Sequence, residues 1–426
     1  MTTAEYQTAS DEAAIAEEGQ RLREIGRSLA PMIRECEDEI ENDRVVPQVL
    51  VDAMEEKGVF RTFLPRELGG LEVHPTAWLE LVEELSYHNG SIGWLSMIQV
   101  GNTFLEPDVM REILAEGPWI TAGNLGRAAG KAYKVDGGYR ISGRWPFASG
   151  TPHATWLHGR SVLYDDNDEM VIHPKDGLPW GVSAVWPQSS AIIHDTWDGL
   201  GMRGTGSCDF EIKDLFVPTR HVNELGLHHR PYDRPLYRFI FNLPGHVAHT
   251  LGIARRAVDE FIALAARKAV RGSRRQQRLG RQQLHEVAVA RADVLIKSAR
   301  GLLWEVTTRC YDNARENEHV DYALRAEMAQ ALTYGVRNGK EAVQLIFEQA
   351  GVDAVKRGNP IELCLRDVLT AAQHALVSEP AYDTIGQYLI TRDRPDGPQI
   401  DVEYSFIMPP HPVRLDHNPF DKGRRD

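Results

Sequence analysis

The 426-residue chain has no run apolar for the length a membrane span requires. Its first residues, MTTAEYQTASDEAAIAEEGQ, lack the basic stretch followed by an apolar one that marks a secretory leader. A cytoplasmic location is the expectation. Cysteine is scarce: Cys36, Cys208, Cys310 and Cys364 lie far apart and form no CxxC pair. That excludes a disulfide framework and a zinc pattern, so the thiols are predicted to be reduced and mostly buried, and no metal site is expected. Positive charge is in deficit, 48 Lys and Arg against 61 Asp and Glu, for a net charge of −13. An acidic surface opposes general affinity for nucleic-acid phosphates or anionic lipid. Repeats at solenoid spacing are also missing.

What is present is an ordinary globular composition, 42% hydrophobic, long enough to bury a large core in roughly two or three packed units. Residues 1–117 read as an N-terminal helical domain, with apolar residues at three- and four-residue intervals, broken at Pro47 and at PRELGG, 65–70. Over 118–225 the pattern becomes short alternating runs: 131–135, a turn at Asp136-Gly137-Gly138, 139–142, 156–164, and 169–173 across an acidic turn. This middle is predicted to be a sheet or barrel. Residues 226–395 return to the helical period in four long stretches, the last two near 322–350 and 361–390, the number an antiparallel bundle needs. Residues 396–426, with Pro409, Pro410, Pro412 and Pro419, read as an irregular tail. The fold class is α+β, mainly α.

Gly199-Leu200-Gly201-Met202-Arg203-Gly204 matches GxGxxG letter for letter, but a dinucleotide fingerprint needs a strand before it and a helix after it. Here 208–217 alternates like a strand and ends at Pro218. The nucleotide reading fails on context, which leaves the chain without a unit to reduce a flavin from NAD(P)H. A second constellation is Arg144-Trp145-Pro146-Phe147-Ala148-Ser149-Gly150 at a strand end. Aromatic residues there are commonly core. An isoalloxazine ring, however, needs a flat apolar wall and polar groups at its N5 edge, which Trp145, Phe147 and the Ser149 hydroxyl could supply. A third is NPIELCLRD, 359–367, with His374 seven residues after Asp367 in what reads as a continuing helix. The basic run Arg267, Lys268, Arg271, Arg274, Arg275, Arg278 and Arg281 reads either as a solvated face or as a phosphate holder.

Taken in order, FLPRELGG (63–70), the hairpin with WPFASG (133–150), GLGMRGTGSCDFEIKDLFVP (199–218), LGIARRAVDEFIALAARK (251–268) and AGVDAVKRGNPIELCLRD (350–367) resemble the acyl-CoA dehydrogenase superfamily over nearly the whole chain. The resemblance implies an N-terminal helical domain, a central β-barrel and a C-terminal four-helix bundle, assembled as a homotetramer. True dehydrogenases of this family use a glutamate base, whose two known places fall here on Ala375 and Asn242. Losing such a base typically costs about 10²–10⁴-fold. WxFxSG with RDxxxxxxH is instead similar to the family's flavin-dependent two-component monooxygenase branch. That branch hydroxylates small aromatic or apolar substrates with O2 and reduced FMN or FAD from a separate reductase.

In that branch His374 and Ser149 fall on the catalytic positions: Ser149 would hold flavin N5–H so that a C4a-hydroperoxide survives, and His374 would steady it or move a proton. Trp145, Phe147, Ser149, Gly150, Arg267, Arg271, Arg366 and Asp367 are the expected flavin contacts. Trp94, Gln99 and Asn102 are the expected substrate contacts; several branch members carry a second histidine after an SxGW-like stretch, and here Ser91-Ile92-Gly93-Trp94 is followed by Gln99 and Asn102, with His88, His153 and His158 as substitutes for it. The rival readings are a dehydrogenase or nitroalkane-type oxidase with a displaced base, for which Glu362, Asp367 and Glu379 are available, and a non-catalytic assembly or regulatory member.

Overall fold

The computed structural model describes residues 3–394 apart from 101–104, 118, 124–127, 174–178, 225–230, 272–282 and 380. The expected tail, 396–426, lies outside the described residues. Among the described residues five α-helices come first: α1 (Thr3–Asp43), α2 (Gln48–Glu56), α3 (Pro75–His88), α4 (Gly90–Ile98) and α5 (Pro107–Ala115). Pro47 is the N-cap of α2, where a missing N–H costs nothing. Asn89 separates α3 from α4 with an extended backbone, and its side chain accepts from the Ser91 and Ile92 amides to start the second helix. Both helices are buried along almost their whole length, which puts them at the centre of the molecule.

Eight strands follow among the described residues: β1 (Ile120–Ala122), β2 (Gly130–Val135), β3 (Gly138–Ala148), β4 (Trp156–Tyr164), β5 (Gly181–Pro187), β6 (Ile192–His194), β7 (Cys208–Pro218) and β8 (Val222–Asn223). They form one sheet in the order β6-β7-β3-β2-β4-β5-β8, with β1 beside β4. Asp136-Gly137 closes the β2–β3 hairpin with Val135 opposite Gly138, and Gly137 takes the positive φ of 75° that a two-residue turn demands. The sheet wraps a core containing Trp145, Trp186 and Phe210. Among the described residues its end strands β6 and β8 do not pair with each other, so the barrel is open along that seam. The run 169–173, expected as a strand, makes only isolated bridges, Tyr164 with Met170 and Ile172 with Pro179. The Asp165 carboxylate accepts from the Asn167 and Glu169 amides and bends the chain there, and β5 takes the place beside β4.

The C-terminal part is α6 (Gly245–Arg271), α7 (Gln283–Glu316), α8 (Tyr322–Ala350), α9 (Pro360–Ala371) and α10 (Ala381–Thr391). The stretch expected to be one helix from 361 to 390 is two. After α9 the chain turns, His374 is extended at the start of a 3-10 turn over Ala375–Val377, and Pro380 opposes any helical continuation from Glu379. The helix α3 packs on α1 and α6, and α4 packs on α6 and α9, so one apolar core runs from the N-terminal helices into the bundle. The four cysteines are buried free thiols, as the sequence implied.

Candidate active site

The site lies where the end of β3 meets α4, the start of α6 and the break after α9. Along an unbroken strand, residues two apart face the same side, which would put Trp145 and Phe147 on one wall. They are on opposite sides. Trp145 pairs with Phe210 and Ala148 with Cys208, three steps on β3 against two on β7, so β3 carries one extra residue. This bulge holds Phe147 at a φ of 59°. Trp145 is consequently enclosed in the sheet core, stacked near Phe210 with its indole N–H donating to the Arg160 carbonyl, and cannot be a flavin wall. Phe147 is turned outward, 62% exposed.

The bulge also delivers Ser149, which is buried. Trp94 Nε1 donates to its hydroxyl at 3.0 Å, and Ser207 Oγ lies 2.8 Å away. The Ser149 carbonyl accepts from Thr121 Oγ1 and Gln99 Nε2, and Gln99 Nε2 also donates to Thr121. Gln99 therefore holds the backbone of Ser149 rather than waiting for substrate. Gly150 turns the chain at φ 82°, donates to the Thr205 carbonyl, and passes so close to Trp119 that a Cβ would sit 2.7 Å from the ring. Its role is to let the sheet rim approach α4.

Around Trp94 stand three imidazoles: His246 and His249 from the first turns of α6, and His374 from the chain break. The His246 and His374 rings are 4.4 Å apart, centroid to centroid. Burial pushes the His374 and His249 pKa values down to about 4, and burial plus the neighbouring imidazoles pushes His246 well down, so all three are neutral near pH 7. His249 Nε2–H donates to the Gly90 carbonyl at 2.8 Å, which leaves its Nδ1 as a buried acceptor with no partner. Nδ1 of His374 is likewise buried without a partner. Buried polar atoms are ordinarily satisfied, and these two nitrogens beside one indole are left able to take a hydrogen bond from a ligand. His246 and His249 carry no motif. As HxxH in an otherwise apolar helix start they read as core residues, and the signal that could have found them is their i, i+3 spacing just before the LGIA segment.

The remaining expected contacts sit elsewhere. Arg366 pairs with Glu362 and with Glu41 of α1, and donates to the Leu200 carbonyl. Asp367 is fully enclosed and accepts from the Met202 amide at 2.6 Å. Together they fasten α9 to α1 and to the 199–204 loop, so neither is open to a flavin. Gly201 lets that loop touch the α9 backbone, where a Cβ would fall 2.3 Å from the Arg366 carbonyl; the GxGxxG match is a packing device. Arg267 is exposed and 21 residues beyond His246 on α6, about 30 Å along the helix, too far to meet a flavin ring in this site. Asn102 and the Arg271 side chain lie outside the described residues.

Of the substitute histidines, His88 binds Glu84, His153 binds Gln48 on α2, and His158 is buried in β4; none is among the rings packed on Trp94. Of the carboxylates available to a displaced base, Glu362 and Asp367 are held as described, and Glu379 pairs with Arg337 on the surface.

The family models for the N-terminal and C-terminal domains of acyl-CoA dehydrogenase match residues 16–110 and 244–379. The chain is 28% identical to an indole-3-acetate monooxygenase from Pseudomonas putida over 82% of its length and 88% of the relative's. It is 26% identical to the oxygenase subunit HsaA of a flavin-dependent monooxygenase from Rhodococcus jostii, over 82% and 92%. In fold it is similar to a 3-HSA hydroxylase from Rhodococcus sp. RHA1, with TM-score 0.78, 24% identity, and 91% and 98% of the two chains covered. It is also similar to XiaF from Streptomyces sp., solved with FADH2 and glycerol, with TM-score 0.80, 22% identity, and 89% and 98% covered.

Proposed function

We propose, for a chain that belongs to the acyl-CoA dehydrogenase family, that it is the oxygenase component of a two-component flavin-dependent monooxygenase. It hydroxylates a small apolar or aromatic substrate with O2 and reduced FMN or FAD delivered by a separate reductase. The observation that carries this is the site's chemistry: a hydroxyl and neutral imidazoles around an indole, with each candidate carboxylate engaged elsewhere. A dehydrogenase needs a carboxylate beside its substrate, whereas an oxygenase needs groups that hold and move single protons while water is excluded.

The residues fit a flavin. Phe147 offers an exposed ring at the rim, Ser149 a buried hydroxyl two residues on, and His374 an orphaned nitrogen across from it on the Trp94 side. Bound reduced flavin would supply the electrons that activate dioxygen. Within the chain, Ser149 accepts a hydrogen bond at the cofactor edge. His374 exchanges a proton or a hydrogen bond with substrate through Nδ1. His246, ring to ring with His374, replaces the second histidine that the N-terminal helix lacks and gives a proton somewhere to go. Trp94, Phe147 and the imidazole faces suit a flat substrate.

The relatives named as oxygenase subunits or components support a separate reductase. Homotetramer assembly is supported by an apolar stripe on the exposed side of α7, Leu284, Val287, Val294 and Leu302, which a second copy of the chain would cover. Arg267 and its basic neighbours would then serve a flavin held by another subunit. Among the described residues no helix is long and apolar enough to cross a membrane.

The test combines three additions to flavin-loaded protein. NADH or NADPH alone should leave the oxidised spectrum unchanged, an acyl thioester under nitrogen should not bleach it, and oxygen uptake should begin only when a flavin reductase is added. Bleaching by thioester would replace this reading with the dehydrogenase one.

A further inference from the structure

Four oxygens and one indole form a chain at the sheet rim whose direction can be worked out. Thr205 Oγ1 lies 2.9 Å from the Met202 carbonyl and 2.7 Å from Ser207 Oγ. A carbonyl only accepts, and of the three donors on the Met202 carbonyl the Thr205 hydroxyl is the nearest, with Trp197 Nε1 at 3.1 Å and the Thr205 amide at 3.2 Å, which places the Thr205 proton on the Met202 side. Thr205 therefore accepts from Ser207. With its single proton so engaged, Ser207 must accept from Ser149 across their 2.8 Å contact. Trp94 Nε1 can only donate, and it occupies one lone pair of Ser149 Oγ. Ser149 is left with no proton to offer and one lone pair open.

We propose that Thr205 and Ser207 are positioning residues that fix Ser149 as an acceptor, and so make the site select flavin carrying a hydrogen at N5, the reduced form, over oxidised flavin. Oxidised flavin presents a lone pair at N5, and a lone pair set against the open lone pair of Ser149 leaves both unpaired in a buried place. The chain is anchored at its far end. The Met202 amide is held by Asp367, and the Thr205 carbonyl takes the Gly150 amide at 2.7 Å, so the loop that carries the relay is tied both to α9 and to the turn that follows Ser149. The motif segment GMRGTGS thus acts on the cofactor through its hydroxyls rather than through its glycines. This rests on the flavin reading above.

The experiment measures dissociation constants for oxidised FMN and FAD by fluorescence, and for the reduced forms by anaerobic ultrafiltration, on the full chain. Wild type should bind the reduced form at least about tenfold tighter, the factor expected from one mismatched buried hydrogen bond. Thr205→Val and Ser207→Ala each free the Ser149 proton to turn outward, and each should cut that ratio by about tenfold. Bound-flavin potential should fall by about 30 mV per tenfold. Thr205→Ser keeps an oxygen and a proton in place and should retain the wild-type ratio. A ratio near one in wild type overturns the proposal, as does an unchanged ratio in both Thr205→Val and Ser207→Ala. Loss of the ratio in Thr205→Ser would overturn it too, since a relay carried by the hydroxyl must survive that change. If Thr205→Val does not fold, Ser207→Ala decides alone. Binding of neither redox form by wild type would instead refute the flavin reading itself, a distinguishable outcome.

Discussion

The substitution Asp367→Asn should convert a pH-dependent weakness into a pH-independent contact. Asp367 is 2% exposed, and burial, with the Glu41 charge adding to it, raises its pKa from 3.8 to about 7 against the opposing Met202 hydrogen bond and the Arg366 and Arg256 charges. A group whose folded pKa lies above its unfolded one contributes its full stability below the unfolded value and loses it as pH rises through the folded value. Between pH 4 and pH 7 the native protein keeps a proton that the unfolded chain has released, and each pH unit in that window costs about 1.4 kcal/mol. From pH 5 to pH 8 wild type should therefore lose about 2–3 kcal/mol through this one residue. The amide side chain of the variant keeps an oxygen for the Met202 N–H and has nothing to titrate. Urea unfolding followed by tryptophan fluorescence at pH 5, 6, 7 and 8 gives the difference between the two proteins, in which other titrating groups cancel. The variant should gain on wild type steadily up to about pH 7 and then hold its lead. A difference that stays constant with pH would refute the reasoning.

Further outcomes follow from the same geometry. Ser149→Ala should leave the fold intact but send more of the consumed oxygen to free hydrogen peroxide, measured as peroxide per NADH in the presence of reductase; unchanged coupling would remove Ser149 from the site. His374→Ala and His246→Phe should each lower hydroxylation by about 10²-fold or more while reduced-flavin binding holds within a few-fold, and wild-type rates in His246→Phe would exclude it as the second imidazole. Because the His374 pKa is lowered to about 4, the acid limb of kcat/KM should lie near pH 4–5, and a limb near 6.5 would contradict a buried neutral imidazole. If the exposed stripe of α7 is the seam of the proposed tetramer, Val294→Glu, at a position 59% exposed, should lower the mass seen by light scattering without unfolding the chain.

What could be read from sequence was set by local periodicity and punctuation. The helix over 322–350, the strand over 156–164 and the Asp136-Gly137 hairpin follow from apolar spacing and a turn that only glycine accommodates easily, and the structure has them at those places. The bulge at Phe147 was not legible, because the alternating pattern of Trp145 and Phe147 is that of an ordinary strand and only pairing with β7 reveals the extra residue. The helix break before His374 is not legible either, because residues 361–379 hold no proline or glycine and the nearest proline, Pro380, comes six residues after His374. The Arg366–Asp367 pair looked like a ligand-facing element, and the structure uses it to fasten two elements more than 160 residues apart. His246 and His249 escaped for the opposite reason: a histidine inside an apolar helix face is usually core, and only the arrival of His374 and Trp94 from other elements turns them into a cluster.

If the Ser149, Trp94 and histidine cluster holds reduced flavin while oxygen reacts, mixing anaerobic protein carrying one equivalent of reduced flavin with oxygenated buffer should delay the return of the oxidised flavin band. The band should return at least about tenfold more slowly than with free reduced flavin under the same conditions, as expected where a hydrogen bond holds N5–H and water is excluded. Identical time courses with and without the protein would contradict it.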